Sequence, residues 1–147
     1  MKSEQYILDN LEGIDLSTMA GRIKYHRIRQ GISKMEVGSR IGMQYPNSYA
    51  KTYENEKREV RNLVQVQKIC KVLNVDEQYI FDDYMSFLST DYIADLLAIQ
   101  ERLGATCVEM DRRIGMSKGQ YRKWISGSSV PGRKAVELIR KFLEENH

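Results

Sequence analysis

Residues 40–43 read "RIGM", and so do residues 113–116, where the text runs on to residue 127 as "RIGMSKGQYRKWISG". The two copies lie 73 residues apart, and each precedes a stretch of polar, basic and aromatic residues. Around the first copy, "STMAGRIKYHRIRQ" (17–30) predicts a helix that opens on a capping Ser17 and stops at Gly31. "SKMEVGSRIG" (33–42) follows, with Ser33 and Glu36 spaced as a capping box and Gly42 as terminator. In "MQYPNSY", Pro46 forbids helix before it, and Asn47 is placed to cap a third helix over 48–54. "LVQVQKICKVLN" (63–74) puts Val66, Ile69, Cys70 and Leu73 on one face, and "DEQYIF" (76–81) gives a short fifth helix.

The second copy repeats the plan. "TDYIADLLAIQERL" (90–103) carries Ile93, Leu96, Leu97, Ile99 and Leu103 at helical spacing and ends at Gly104. "TCVEMDRRIG" (106–115) has Thr106 and Glu109 as its capping box. "KGQYRKWI" (118–125) predicts the next helix, and "RKAVELIRKFLEE" (133–145) packs Val136, Ile139 and Leu143 inward. In each "RIGM", Ile is the last core residue of a short helix, and Gly supplies the left-handed residue that stops it. A new helix then starts at an angle, which is a helix-turn-helix. No stretch alternates apolar and polar residues with β-branched enrichment, so the chain reads as all-α.

Length and charge bound what such a chain does. Its 147 residues make one ordinary domain or two small ones. Apolar runs are too short to span a membrane, and "MKSEQYILDNLEG" lacks the apolar core of a signal peptide. Two cysteines without a CxxC or Cys/His cluster fit a reducing cytoplasm and no zinc site. Net charge is only +3, but residues 22–71 hold twelve Lys and Arg against four Glu. Residues 112–134 hold seven Lys and Arg and no acid. Two separate basic windows suit a polyanion.

Both halves resemble the Cro/repressor (XRE-type) helix-turn-helix family. The first copy carries the resemblance in Gly31, Ser33, Glu36, Val37, Gly38, Ile41 and Gly42, then Tyr53, Glu54 and Asn55. The second carries it in Gly104, Thr106, Glu109, Met110, Ile114 and Gly115, then Trp124, Ile125, Ser126 and Gly127. Residues 17–81 and 90–143 are covered. The resemblance implies two small lambda-repressor-like domains of four to five helices, over 17–84 and 85–147, after an N-terminal extension, 1–16.

It also implies a role: sequence-specific binding of double-stranded DNA by a transcriptional regulator, a repressor more than an activator, with no cofactor. The third helix of each copy would enter the major groove. In the second copy its residues are Ser117, Lys118, Gly119, Gln120, Tyr121, Arg122 and Lys123, with Thr106 at the start of the preceding helix. In the first copy they are Gln44, Asn47, Ser48, Tyr49, Lys51 and Thr52. Lys34, Lys57, Arg58 and Arg61 would hold phosphates, together with the N-terminal amides of each second helix. Tyr53 and Trp124 take the family's aromatic core position.

The copies also depart from the pattern. The first turn is two residues longer and contains Pro46. Arg27 and Glu54 match the family's ion pair, whereas Gln100 and Ile125 replace both partners together, so no single charge is stranded. Asp111 stands where the family buries a small residue, opposite Gly38, and calls for a basic partner, Arg122 or Lys123. Cys107, at a helix N-terminus beside basic residues where a thiol pKa can fall, occupies a position where the family often places a phosphate-contacting Gln, and a redox switch is the alternative role there. Cys70 reads as core and His26 as a hydrogen-bonded structural residue.

With His147 the only other histidine, no nucleophile–His–acid set can be built, which argues against an enzyme. The alternative function makes one copy, the second above all, a dimerisation or partner-docking module, as in an antitoxin. A tandem chain can read an asymmetric site by itself, or form a homodimer with four readers. Residues 3–14 suit a short helix that either packs on the first domain or mediates pairing.

Overall fold

A computed structural model describes residues 10–147. Residues 1–9, which hold most of the N-terminal segment considered above, lie outside the described residues. The chain is all-α, with no strand among the described residues. It divides into two compact units, one ending at Asp83 and one running from Tyr84 to His147. No helix among the described residues is long and apolar enough to cross a membrane.

The first unit contains α1 (Met19–Gln30), α2 (Lys34–Arg40), a 3-10 turn (Pro46–Ser48), α3 (Tyr49–Tyr53), α4 (Leu63–Val72) and a second 3-10 turn (Glu77–Tyr79). Thr18 caps α1, not Ser17: the Thr18 hydroxyl accepts the Gly21 N–H at 3.0 Å. Ser17 is already engaged, its N–H and Oγ both donating to Asp15 Oδ1. Gly31 ends α1 at φ 68, and its N–H returns to the carbonyls of Arg27 and Ile28. Ser33 caps α2 through the Glu36 N–H at 3.1 Å, as its spacing implies.

Pro46 does not simply precede a helix. It is the first residue of the 3-10 turn, where a missing N–H is no loss. Asn47 therefore sits inside that turn, and the position before α3 is Ser48, without a side-chain cap. The core gathers Ile23, Val37, Ile41, Tyr49, Tyr53, Val66, Ile69, Leu73 and Ile80. Gly38 lets the chain close tightly: a Cβ there would meet the Pro46 carbonyl oxygen at 2.5 Å.

The second unit contains α5 (from Asp83 to Leu88, straddling the boundary), α6 (Tyr92–Leu103), α7 (Cys107–Ile114), α8 (Gln120–Ser126) and α9 (Arg133–Asn146). Helix α5 falls between the stretches that the sequence marks as helical. Its Tyr84, Met85, Phe87 and Leu88 are buried, and the Tyr84 hydroxyl donates to the Pro131 carbonyl at 2.7 Å. Helix α9 packs on α6 and α7. The core combines Met85, Leu96, Met110, Ile114, Tyr121, Trp124, Val136, Ile139 and Phe142. Leu97 is exposed rather than inward, because Leu96 and Ile99 define the buried face of α6. Helix α8 starts at Gln120, not at Lys118, since Gly119 precedes it at φ 94, a left-handed conformation.

Candidate nucleic-acid interface

In the first unit the residues of interest come from α2, the Pro46 turn, α3 and the loop after it. Gln44, Asn47 and Lys51 are exposed, as are Lys34, Lys57, Arg58 and Arg61. Ser48 and Thr52 are half-buried, with hydroxyls already donating to the Tyr45 carbonyl (2.7 Å) and the Ser48 carbonyl (3.2 Å). Tyr49 is 0% exposed and cannot reach a duplex. It is the anchor that the turn closes over, its Cβ 3.0 Å from where a Gly38 Cβ would lie. Burial first, and then the Glu54 carboxylate, push its phenol well above the ordinary tyrosine range.

Three of the predicted lysines, Lys34, Lys51 and Lys57, line one cleft of about 500 Å³. The cleft adds Lys24, which sequence reasoning missed. The signal was present, since Lys24 sits one turn along α1 from Gly21, another residue of the same wall. Arg58 and Arg61 lie outside this cleft, and Arg61 makes an exposed pair with Glu59 at 3.3 Å. The cleft is also lined by Glu54 and Glu56, and Glu54 is bonded twice to Arg27, at 2.7 and 3.1 Å. A third Arg27 bond, to the Ile32 carbonyl, ties α1 to the start of α2.

In the second unit Ser117 and Lys118 are exposed in the turn, Gln120 is half-buried, and Arg122 and Lys123 are exposed on α8. Tyr121 is 0% exposed, which removes it from the contact set. It faces inward with Trp124, its hydroxyl donating to Gln100 Oε1 at 2.9 Å. Burial, reinforced by Cys107, pushes that phenol up to about 12. Thr106 is exposed, but its hydroxyl is engaged with the Glu109 N–H and carboxylate. Gln100 does in neutral form what Arg27 does in charged form. Its Nε2 donates to the Ala105 carbonyl at 3.1 Å, the repeat equivalent of the Arg27–Ile32 bond.

Asp111 is 2% exposed, and its partner is neither Arg122 nor Lys123. Its two carboxylate oxygens accept the backbone N–H groups of Gly119 (2.8 Å) and Tyr121 (2.7 Å). The carboxylate thus caps α8 from the helix before it, favourably placed against the positive end of the helix dipole. Arg122 and Lys123 stay exposed, and among the described residues neither they nor Lys118 enter an ion pair.

Both cysteines are free. Cys70 is buried, and that burial pushes its thiol up to about 12. Cys107 is half-buried, its sulfur 3.8 Å from Gln100 Nε2. His26 stands edge-on to Tyr25 at 5.2 Å, and burial, then Arg29, lower its pKa.

Comparison of the chain with models of protein families, with characterised proteins and with solved structures finds no match.

Proposed function

We propose that the chain is a sequence-specific double-stranded DNA-binding regulator of transcription, acting as a repressor, with an XRE-like helix-turn-helix in each unit. One observation carries the reading. In both units a short helix and a left-handed glycine lead into a turn and a second short helix, and that turn and second helix carry polar and basic side chains without acids among them. Residues 44–53 and 112–134 contain no Asp or Glu. In the second unit Asp111 spends its charge on backbone N–H groups and leaves Arg122 and Lys123 to solvent. This favours two readers over a second unit given wholly to protein contacts. Lysines around the 500 Å³ cleft would hold phosphates, and the exposed side chains at the start of α3 and α8 would read base edges.

Selection from a random duplex library tests this. Two readers in one chain should yield a long asymmetric site, whereas a palindrome would indicate a homodimer. Affinity for the selected site should fall by about 10³–10⁵ between 50 and 200 mM salt if 6–10 phosphates are contacted. A flat salt response would refute the polyanion surface. Arg122→Ala with Lys123→Ala should weaken binding as much as Lys34→Ala with Lys51→Ala. If only the second pair matters, the second unit is an interaction module.

A further inference from the structure

The most exposed large apolar side chain among the described residues is Tyr45, at 66%. It belongs to none of the helices and was not among the residues expected to touch DNA. Its backbone is nevertheless held firmly. The Tyr45 carbonyl accepts both the Ser48 N–H (3.0 Å) and the Ser48 Oγ (2.7 Å), and Pro46 follows directly. Among the described residues its own hydroxyl has no hydrogen-bond partner. An aromatic ring thus stands in the open on a held backbone at the entry to the 3-10 turn, between exposed Gln44 and exposed Asn47 in the chain.

Its surroundings say what fits it. Residues 44–53 carry no carboxylate, and Lys51 lies exposed on α3, so the setting suits an anionic partner with apolar points. Tyr79 is nearly as exposed, at 59%, but stands in "DEQYIFDD" (76–83), among acids that would repel such a partner. In the major groove, thymine alone offers an apolar group, its 5-methyl, and an aromatic or other apolar side chain reads it by contact. Amide side chains such as Gln44 and Asn47 pair with adenine N6 and N7. The three neighbours are therefore suited to one chemical pattern.

We propose that the first unit reads an A·T-rich half-site, with Tyr45 as a specificity-determining contact to a thymine 5-methyl group. This rests on the DNA-binding reading above. The second unit, with Lys118 and Arg122 as its leading exposed donors, would take the more G·C-containing half.

The test uses the full chain and its selected duplex, with each thymine of the A·T-rich half replaced in turn by deoxyuridine, which lacks only the methyl. Burying one methyl-sized group is worth about 0.8 kcal/mol, or about fourfold in affinity. Wild type should lose about fourfold at one thymine. Tyr45→Ala should bind more weakly and be indifferent to that replacement. Tyr45→Phe should behave as wild type, and so should Tyr79→Ala. Thermal melts of Tyr45→Ala should match wild type, since the ring is exposed. If wild type selects a site but no deoxyuridine replacement weakens it, or if Tyr45→Ala keeps the full penalty, Tyr45 is not the methyl reader although the DNA reading stands. If wild type shows no salt-sensitive duplex binding, both fall together.

Discussion

Replacing Asp111 with alanine removes the side chain that holds the start of α8. Two charge-assisted hydrogen bonds disappear, at 2.8 Å to Gly119 and 2.7 Å to Tyr121, and two N–H groups lose their acceptor. Hydrogen bonds to charged groups are worth about 1.5–3 kcal/mol each, so the gross loss is about 3–6 kcal/mol. Part of it is returned, because a carboxylate that is 2% exposed no longer has to be kept out of water. A net loss of about 3 kcal/mol is expected, which lowers the melting temperature of a domain this small by about 12–24 °C. The assay is built in. Trp124 is the sole tryptophan and lies buried in the second unit, so its fluorescence follows that unit's unfolding. Asp111→Asn keeps an acceptor for one N–H and should fall between wild type and alanine. If Asp111→Ala lowers the unfolding free energy read from the urea transition of Trp124 fluorescence by less than about 0.5 kcal/mol, surface-like behaviour is indicated and the capping argument is wrong.

Glu54→Ala strands the buried Arg27 guanidinium and should destabilise the first unit by about 3–5 kcal/mol, measured by circular dichroism in urea. Little change in Trp124 fluorescence should accompany its early loss of helix. Gly38→Ala drives a Cβ against the Pro46 backbone and should cost about 1–3 kcal/mol by the same measurement, whereas no change would show that the turn yields freely. Cys107 should react with a thiol reagent in the folded protein at pH 8 while Cys70 waits for unfolding. Since burial raises Cys70 from 9.0 to about 12, the unfolded chain ionises it first. Its contribution to stability is therefore whole below pH 9.0 and declines between pH 9.0 and about 12, which a Cys70→Ala comparison of alkaline melts detects.

Helix ends were the most legible part of this sequence. Gly31, Gly104 and Ser33 announce them by local backbone rules that need no distant partner. Where local rules compete, the sequence misleads. Ser17 and Thr18 are both good caps, and Asp15 decides between them by claiming Ser17. Tyr49 and Tyr121 looked like surface readers because polar and basic residues surround them. Their burial follows from helical spacing: Tyr49 lies four residues before core Tyr53 and Tyr121 three before core Trp124, so each shares its partner's inward face. The Asp111 partner was out of reach for a different reason. A buried acid suggests a basic side chain, but the groups that answer it are backbone N–H groups eight and ten residues on, and every sequence supplies those. Helix α5 is hard to see in the sequence because it has only six residues and lies beside an acidic run. In the candidate interface, the exposed lysines and arginines were legible from charge, but Lys24 joins them only through folding of α1 against the loop after α3.

Gly38 and Asp111 occupy the same place in the repeat and solve one steric problem in opposite ways. One leaves room for the oncoming backbone, and the other fills the room with an acceptor. The two turn-plus-helix segments are therefore not interchangeable cassettes. Grafted behind Gly38, residues 117–126 would arrive with amides and no carboxylate to receive them, and residues 44–53 grafted behind Asp111 would collide with it. Anyone re-targeting one unit by borrowing from the other must move that single upstream residue along with the graft.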